Sequence, residues 1–455
     1  MGTLAAMFRD RGYIVTGSDA TAYPPMSTWL EERGIEILSG YEATHIPDDV
    51  DLVVVGNVAR RDNPEAVATI KRGIPYLSLP EALRVFFFAD RDVIVISGTH
   101  GKTTTTAMTA WILHANGVSP SFFLGGVTIN FDASYLLGDG RVFVVEGDEY
   151  DTAYFDKVPK VWHYPAKHAT INNVEYDHAD IYPDMASIRV AFQTFAEQVD
   201  PRGSLWVNGD DEEALGVSDD TWADRFTFGL GQACTLRGEV LGVGEDGTSI
   251  RVHHDGATWA GVLPTIGAHN VRNFLGAAAM ALTQGVSVEQ SLAAMTSYRG
   301  VRKRQEIKGD VGGVVVIDDF AHHPSALRET LAALRARYRS RRMWAIFEAK
   351  SNTSRRAVFQ DAYAESFVDA DVVVLSRPWR RDDLPAEELL SITRLADDIG
   401  AGGKEVHVVP EVDDIVAMVA REARAGDVIA GLSGSAFGGL HDKILRALKR
   451  RDDVD

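Results

Sequence analysis

The chain has 455 residues, 45% of them hydrophobic and 24% charged, with 46 Lys and Arg against 65 Asp and Glu for a net charge of −19. That length predicts roughly two to four domains, and the acidic balance excludes general binding to nucleic acid or anionic lipid, both of which need basic surface. Cys234 is the only cysteine, which excludes intramolecular disulfides and cysteine-based zinc sites and predicts a reducing, cytoplasmic setting, while no apolar run approaches the ~18 residues of a membrane span.

The opening "MGTLAAMFRDRGYIV" lacks the basic start, apolar centre and small-residue cleavage site of an export signal. Up to residue 88, short β runs alternate with amphipathic helical patterns: "YIVTGSD", "MSTWLEERG", "DLVVVGN", "NPEAVATIKRG" and "IPYLSLP". This predicts a small parallel α/β domain over residues 1–88.

A second unit, 89–300, opens with the strand "RDVIVISG" and runs through "ISGTHGKTTTT" into a helix. The stretch is a phosphate-binding loop without the first glycine of the usual pattern, whose place Ile96 takes. Gly98 and Gly101 allow a sharp turn whose N–H groups point at phosphate oxygens, and the helix from Lys102 adds its positive end. In such a loop Lys102 meets the β- and γ-phosphates and Thr103 or Thr104 offers a hydroxyl to Mg²⁺. Without ligand, Lys102 is expected to face solvent.

The next strand ends in "EGDEYD", placing Glu146, Asp148, Glu149 and Asp151 at a strand's C-terminal edge, where α/β proteins put ligands. Mg²⁺ takes only one or two protein carboxylates beside phosphate and water. Glu146, first after the strand, is the expected ligand, with the other three fixing geometry or facing solvent. "INNVEYDHAD" then brings Asn173, Asp177 and His178, the last a candidate ligand for a second cation.

Alternation with turn signals over "CTLRGEVLGVGEDGTSIRVHHDGATWAGVLP" predicts an antiparallel excursion, so this domain is mixed. "GAHNVRNFLGAAAMAL" sets Asn270 and Asn273 three apart on one helix face; capping accounts for one amide and leaves the other free to read a purine edge. "YRGVRKRQE" supplies Arg299, Arg302, Lys303 and Arg304 to an otherwise acidic chain, at the start of a third unit, 301–455. A guanidinium there is suited to reach phosphate across a cleft. The third unit repeats the βα rhythm of a doubly wound sheet. Its stretch "VVVIDDFAHHPSALRETL" gathers Asp318, Asp319, His322 and His323 at another strand's C-terminal edge. No G-x-S-x-G elbow occurs, so acyl-enzyme chemistry is not supported.

Taken together, "GTHGKTTTT", "EGDEYD", "NNVEYDH", "HNVRN", "VRKRQE" and "DDFAHHP" resemble, in order and across three domains, the Mur ligases, the ATP-dependent amide-forming family of peptidoglycan synthesis. "GSDATAYPPMS", "GNVARRDNPE", "EYDTAYFDK", "EYDHADIYPD", "EAKSNT" and "SGSAFGGLHDK" resemble its tripeptide-adding branch more than its L-alanine-adding branch. The resemblance implies an α/β fold of three domains: Rossmann-like N-terminal, P-loop ATPase-type central with a mixed sheet, and Rossmann-like C-terminal.

It also implies ATP and Mg²⁺, with UDP-N-acetylmuramate as carboxylate donor and L-alanyl-γ-D-glutamyl-meso-diaminopimelate as amine. The catalytic set is then Lys102, Glu146, His178, Arg304 and Asp319, and the metal ligands are Thr103, Glu146 and His178. Gly98, Thr99, Gly101, Lys102, Thr103, Thr104, Asn270, Asn273 and Arg304 would hold the nucleotide. Ser18, Asp19 and Asn57 would meet the UDP-sugar, and His322, His323, Lys350, Ser351, Asn352 and Thr353 are the remaining substrate candidates. L-Alanine as amine, or a non-catalytic nucleotide-binding protein, is the alternative.

Family members carry a strand and glycine-rich loop before the position of "MGTLAAM", so the first domain is expected to lack a central strand and part of its UDP-diphosphate loop, leaving apolar neighbours exposed. Several members carry a carbamylated lysine after the metal histidine; here no lysine lies between Lys167 and Lys303, and metal binding is expected to be complete without it.

Overall fold

A computed structural model describes residues 1–23, 26–378 and 384–452; Pro24 and Pro25 of "GSDATAYPPMS" lie outside them. The first domain holds α1 (Gly2–Asp10), β1 (Thr16–Asp19), α2 (Met26–Glu31), β2 (Glu36–Ser39), β3 (Val53–Val55), α3 (Pro64–Lys71), β4 (Tyr76–Ser78) and α4 (Leu79–Phe86). Its strands form two separate parallel pairs, β1 with β2 and β3 with β4. Three of the four β1 residues are exposed, and Ile14 just before it is 92% exposed. Strand β2 was not among the expected runs, because only Ile37 and Leu38 mark it as apolar.

The middle domain begins with β5 (Asp92–Ser97), α5 (Lys102–Ala115), β6 (Ser121–Thr128), β7 (Ala133–Leu136) and β8 (Val142–Glu146). A small antiparallel pair, β9 (Asp151–Ala153) and β10 (Asp156–Pro159), precedes β11 (Ala166–Ile171), α6 (Met185–Gln198), β12 (Ser204–Asn208), α7 (Glu212–Val217) and β13 (Asp224–Gly229). β14 (Leu236–Gly244), β15 (Gly247–His254) and β16 (Ala257–Leu263) are followed by α8 (Ala268–Leu282) and α9 (Val288–Met295). All ten strands outside the β9/β10 pair share one sheet, in the order β7-β6-β8-β5-β11-β12-β13-β14-β15-β16. The antiparallel excursion therefore extends the central sheet.

Its middle strands are covered on both faces, which is why β5 reads as a nearly unbroken apolar run. One face packs against first-domain helices, with Leu4, Met7, Ala82 and Leu83 joining Val93, Val95 and Phe143 in a single core. The other face takes α5 and α8, whose small residues allow close approach. Four consecutive threonines are a poor helical sequence, yet Thr103–Thr106 are buried in α5. The hydroxyls of Thr106 and Thr109 donate to the carbonyls of Lys102 and Thr105, both at 2.8 Å, so burial leaves those donors paired.

The third domain runs β17 (Glu306–Val311), β18 (Val314–Asp319), α10 (Pro324–Arg337), β19 (Met343–Glu348), α11 (Gln360–Ser366), β20 (Val372–Leu375), α12 (Ile392–Ala401), β21 (Glu405–Val408), α13 (Val412–Glu422), β22 (Val428–Ser433) and α14 (Leu440–Asp452). The sheet order is β17-β18-β22-β19-β20-β21, parallel except for β17. Apolar clusters fill both faces.

Asp318 on β18 is 7% exposed, with His441 Nδ1 at 3.6 Å. Burial lifts its carboxyl to about 6 despite the nearby Lys303, and burial also lowers His441, to about 4. A raised carboxyl pKa contributes stability present below the unfolded value and lost as pH rises through 6. Asp318→Asn is therefore expected to gain about 2 kcal/mol at pH 8 and little at pH 4, read from urea midpoints. An equal gain at both pH values would refute this environment.

Candidate active site

β5 delivers the chain at Ser97 into a turn that requires glycine at two points. Gly98 has φ +132° and stands so close to the next strand's end that a Cβ would lie 2.9 Å from the Asn172 Cβ. Gly101 has φ +80°, and a Cβ there would overlap Asn273 Oδ1. Thr99 closes the loop from the side: its N–H donates to the Asn173 carbonyl at 3.0 Å, and its hydroxyl accepts from Glu175 N–H at 2.9 Å. At Lys102 α5 begins, presenting free amides and the positive end of its dipole.

Gly101→Ala is expected to weaken ATP binding at least about tenfold, since backbone strain of about 1–3 kcal/mol and the overlap both fall on the loop. Calorimetric titration reads this, and wild-type affinity would show that the loop does not hold phosphate.

Lys102 does not face solvent, contrary to expectation. Its ammonium donates to both oxygens of Glu149, at 3.0 and 2.7 Å, and to the carbonyls of Gly98 and Thr99 at 2.7 and 3.1 Å. Burial opposes both charges, but the mutual field prevails: Lys102 is raised and Glu149 lowered from their ordinary pKa values. Glu149 also accepts from His178 Nε2 at 3.0 Å. Burial disfavours the imidazolium, while Glu149 and Asp177 lift it to about 9. His178 has φ +54°, a conformation uncommon outside glycine.

Glu149 is thus the group that sequence reasoning passed over. It is 3% exposed and holds both Lys102 and His178. Of the other acids, Glu146 accepts from the Thr103 hydroxyl at 2.7 Å and from Gly125 N–H at 2.6 Å. Asp148 pairs with Lys160 at 2.6 Å, and Asp151 with Lys157 at 2.6 Å. Four carboxylates in six residues gave no signal of which one turns inward.

Asn270 and Asn273 are both 7% exposed and bonded internally, so neither amide is free as expected. Asn273 accepts from the Thr105 hydroxyl at 3.2 Å and donates to Asn270 Oδ1 at 3.2 Å. Asn270 donates to the Ile266 carbonyl at 2.9 Å and to Gln305 at 3.2 Å. Gly267 takes the cap position. The pair buttresses Gly101 from beneath and reaches the start of the third domain.

From that domain Arg304 projects into the same space, its guanidinium 4.3 Å above the Phe320 ring. Among the described residues its side chain makes no hydrogen bond or ion pair, although Asp319 and Glu146 act on its charge. Asp319 is 5% exposed; it accepts from the N–H groups of Gln305 and Ala321, both at 2.7 Å, and so fixes the backbone just after Arg304 and just after Phe320. His322 is anchored through Nδ1 to its own turn, 2.9 Å from the Phe320 carbonyl. His323 borders the same cavity as His322, with its ring 5% exposed and its Nε2 3.1 Å from the Tyr176 carbonyl.

Lys102, Thr103, Thr104, Glu146, His178, Asn270, Asn273, Arg304, Asp319, His322 and His323 all border one cavity of about 1060 Å³ between the middle and third domains. Ser18, Asp19, Asn57, Lys350, Ser351, Asn352 and Thr353 are not among its lining residues. Ser18 donates to Glu65 and Asp19 accepts from Thr21 N–H, while Asn57 is exposed. Asn352 and Thr353 dock on the turn after His178: Asn352 donates to Asp180 at 2.9 Å, and Thr353 Oγ1 accepts from Ala179 N–H at 3.2 Å. Ser351 bonds within its own turn to Ser354 N–H, and Lys350 Nζ lies 3.8 Å from Glu348. A cavity with a glycine loop, a lysine, a hydroxyl–carboxylate pair and an unpaired guanidinium is built for a polyanion and a hard cation.

Comparison with known proteins places these features in a wider set. Three family profiles match: "Mur ligase family, catalytic domain" over residues 1–90, "Mur ligase middle domain" over 96–281 and "Mur ligase, glutamate ligase domain" over 303–435. The chain is 37% identical to the UDP-N-acetylmuramate–L-alanyl-γ-D-glutamyl-meso-2,6-diaminoheptandioate ligase of Escherichia coli, covering 100% of this chain and 97% of that one. It is 33% identical to the UDP-N-acetylmuramate–L-alanine ligase of Roseiflexus sp., covering 99% and 97%. A crystal structure of a murein peptide ligase from Psychrobacter arcticus superposes with a TM-score of 0.73 at 34% identity, covering 99% of this chain and 96% of that one.

Proposed function

The chain belongs to the Mur ligase family of ATP-dependent ligases, and from that premise we propose that it joins the carboxylate of UDP-N-acetylmuramate to the amine of L-alanyl-γ-D-glutamyl-meso-diaminopimelate. The observation that carries the chemistry is the convergence of Lys102, Glu146 and the unpaired Arg304 on one cavity. The full-length likeness to a tripeptide ligase, at higher identity than to an L-alanine ligase, favours the amine.

A carboxylate oxygen attacks the γ-phosphorus of ATP, the bond to the β-phosphate breaks and ADP leaves. Lys102 exchanges Glu149 for the transferring phosphoryl group, and Arg304 approaches it from the opposite wall, so charge spread over the phosphoryl oxygens meets preorganised cations. The amine then attacks the acyl phosphate, and phosphate leaves from the tetrahedral intermediate. Gly98, Thr99, Gly101 and Thr104 shape the phosphate cradle, while Asn270 and Asn273 support it from below. Asp319 is a positioning residue that holds Arg304.

The hydroxyl of Thr103 and the carboxylate of Glu146 are donors suited to Mg²⁺, and His178 suits a second ion once it has given up its proton. Bound Mg²⁺ supplies neutralisation of phosphate charge. Residues 1–88 take the UDP-sugar, with Ser18, Asp19 and Asn57 as its contacts; 89–300 take the nucleotide; 301–455 take the amine. His322, His323 and the Lys350–Thr353 stretch are the candidates to meet that amine. No helix among the described residues is long and apolar enough to cross a membrane.

The test is ADP release. It should require UDP-N-acetylmuramate and tripeptide together. Release with the UDP-sugar and free L-alanine alone would move the chain to the L-alanine branch, and ATP binding with no release under any combination would make it a nucleotide-binding protein without ligase activity.

A further inference from the structure

A second cluster lies on the seam between the phosphate loop and the third domain. His100 comes from the loop, Glu175 from the segment after β11, and His323 from the start of α10. Each offers one ligand atom within 4.8 Å of the other two. Glu175 Oε2 is 3.7 Å from His100 Nε2 and 3.5 Å from His323 Nδ1, and the two rings are 4.6 Å apart between centroids.

The protonation pattern suits a cation. The Tyr176 carbonyl can only accept, so its 3.1 Å contact puts the proton of His323 on Nε2 and leaves the Nδ1 lone pair toward Glu175. That lone pair has only a long contact with Ser325 N–H, at 3.4 Å. His100 Nε2 is buried with no hydrogen-bond partner, and 3.7 Å is too long for one. Burial and the neighbouring His100 hold His323 to about 4, whereas Glu175, opposed by burial but assisted by His100 and Ser325, lies at about 2. The Nδ1 lone pair of His323 and the unbonded Nε2 of His100 therefore both face one carboxylate. The Ser325 hydroxyl, donating to Glu175 Oε2 at 2.6 Å, fixes the carboxylate, and the Tyr176 carbonyl fixes His323, the outer contacts that metal ligands characteristically have.

We propose that His100, Glu175 and His323 form a site for a divalent transition-metal ion of the Zn²⁺ or Co²⁺ class, which ties the phosphate loop to the third domain. Ligand bonds of about 2.0–2.1 Å to a tetrahedral ion put neighbouring ligand atoms about 3.4 Å apart, so two of the three separations need only tenths of an ångström of adjustment. Two imidazoles with one carboxylate select Zn²⁺ or Co²⁺ over Mg²⁺, and leave a fourth position for water. Because the ligands come from two domains, the ion favours the arrangement in which the domains meet. The site shares no side chain with the Lys102, Glu146 and His178 set and does not depend on the ligase reading.

The experiment uses the full chain, stripped with chelator and kept free of nucleotide and Mg²⁺, titrated with Co²⁺ and followed by its visible d–d absorption. One equivalent should bind in tetrahedral form and be displaced by Zn²⁺. Glu175→Gln and His100→Ala should each weaken binding at least about tenfold, with folding verified by thermal melting, and His178→Ala should leave it intact. No tetrahedral signal in the wild type, a signal unmoved by both variants, or loss in His178→Ala alone would overturn the proposal.

Discussion

Lys102→Ala is expected to lower kcat/KM for ligation by about 10³-fold and to destabilise the ligand-free protein by about 3 kcal/mol. The first effect follows from losing the only lysine of the phosphate loop. The second follows from the pairing: the ammonium is bidentate to a carboxylate that is 3% exposed, and its removal leaves Glu149 buried with His178 as its one remaining cation. The double variant Lys102→Ala/Glu149→Gln separates the two effects, because it removes both buried charges. It should recover most of the thermal stability and none of the turnover. A Lys102→Ala protein that melts like the wild type would contradict the buried pair.

Arg304→Ala should show the opposite profile, a comparable loss of about 10³-fold in kcat/KM with a melting temperature that holds or rises. A guanidinium bordering the cavity, without hydrogen bond or ion pair among the described residues, does not repay its desolvation in the free protein. In the proposed reaction its partner is the phosphoryl group. Arg304→Lys should recover only part of the activity, since an ammonium keeps the charge but loses the planar fork and the stacking on Phe320. If Arg304→Ala loses stability and activity in proportion, Arg304 is a structural residue.

The glycine turn ahead of α5 was legible in the sequence because its constraints are local: a strand, two glycines at positive φ, a lysine and a helix start stand within eleven residues. Arg304 was legible as a basic group at a domain junction of an acidic chain. Glu149 was not. Which of four neighbouring carboxylates turns inward depends on where Lys102 and His178 arrive, and His178 comes from the segment after β11, 29 positions later.

The asparagine pair shows the same limit from the other side. Spacing put both amides on one helix face, but only the fold shows that face pressed against Gly101. In the first domain, β2 carries too few apolar residues to announce itself, and the separation of its strands into two pairs is a property of pairing partners and not of any one segment. His323 reads as a substrate residue by its place after a strand, and it does border the cavity, but only the fold shows its Nε2 held by the Tyr176 carbonyl.

By the proposed function, this cavity activates a sugar carboxylate for attack by a tripeptide amine. The most direct measurement offers equal concentrations of tripeptide and L-alanine with UDP-N-acetylmuramate and ATP-Mg²⁺, and weighs the nucleotide-sugar product by mass spectrometry. The tripeptide adduct should dominate, with one ADP formed per adduct. A product carrying L-alanine alone, or ADP formed without any adduct, would contradict it.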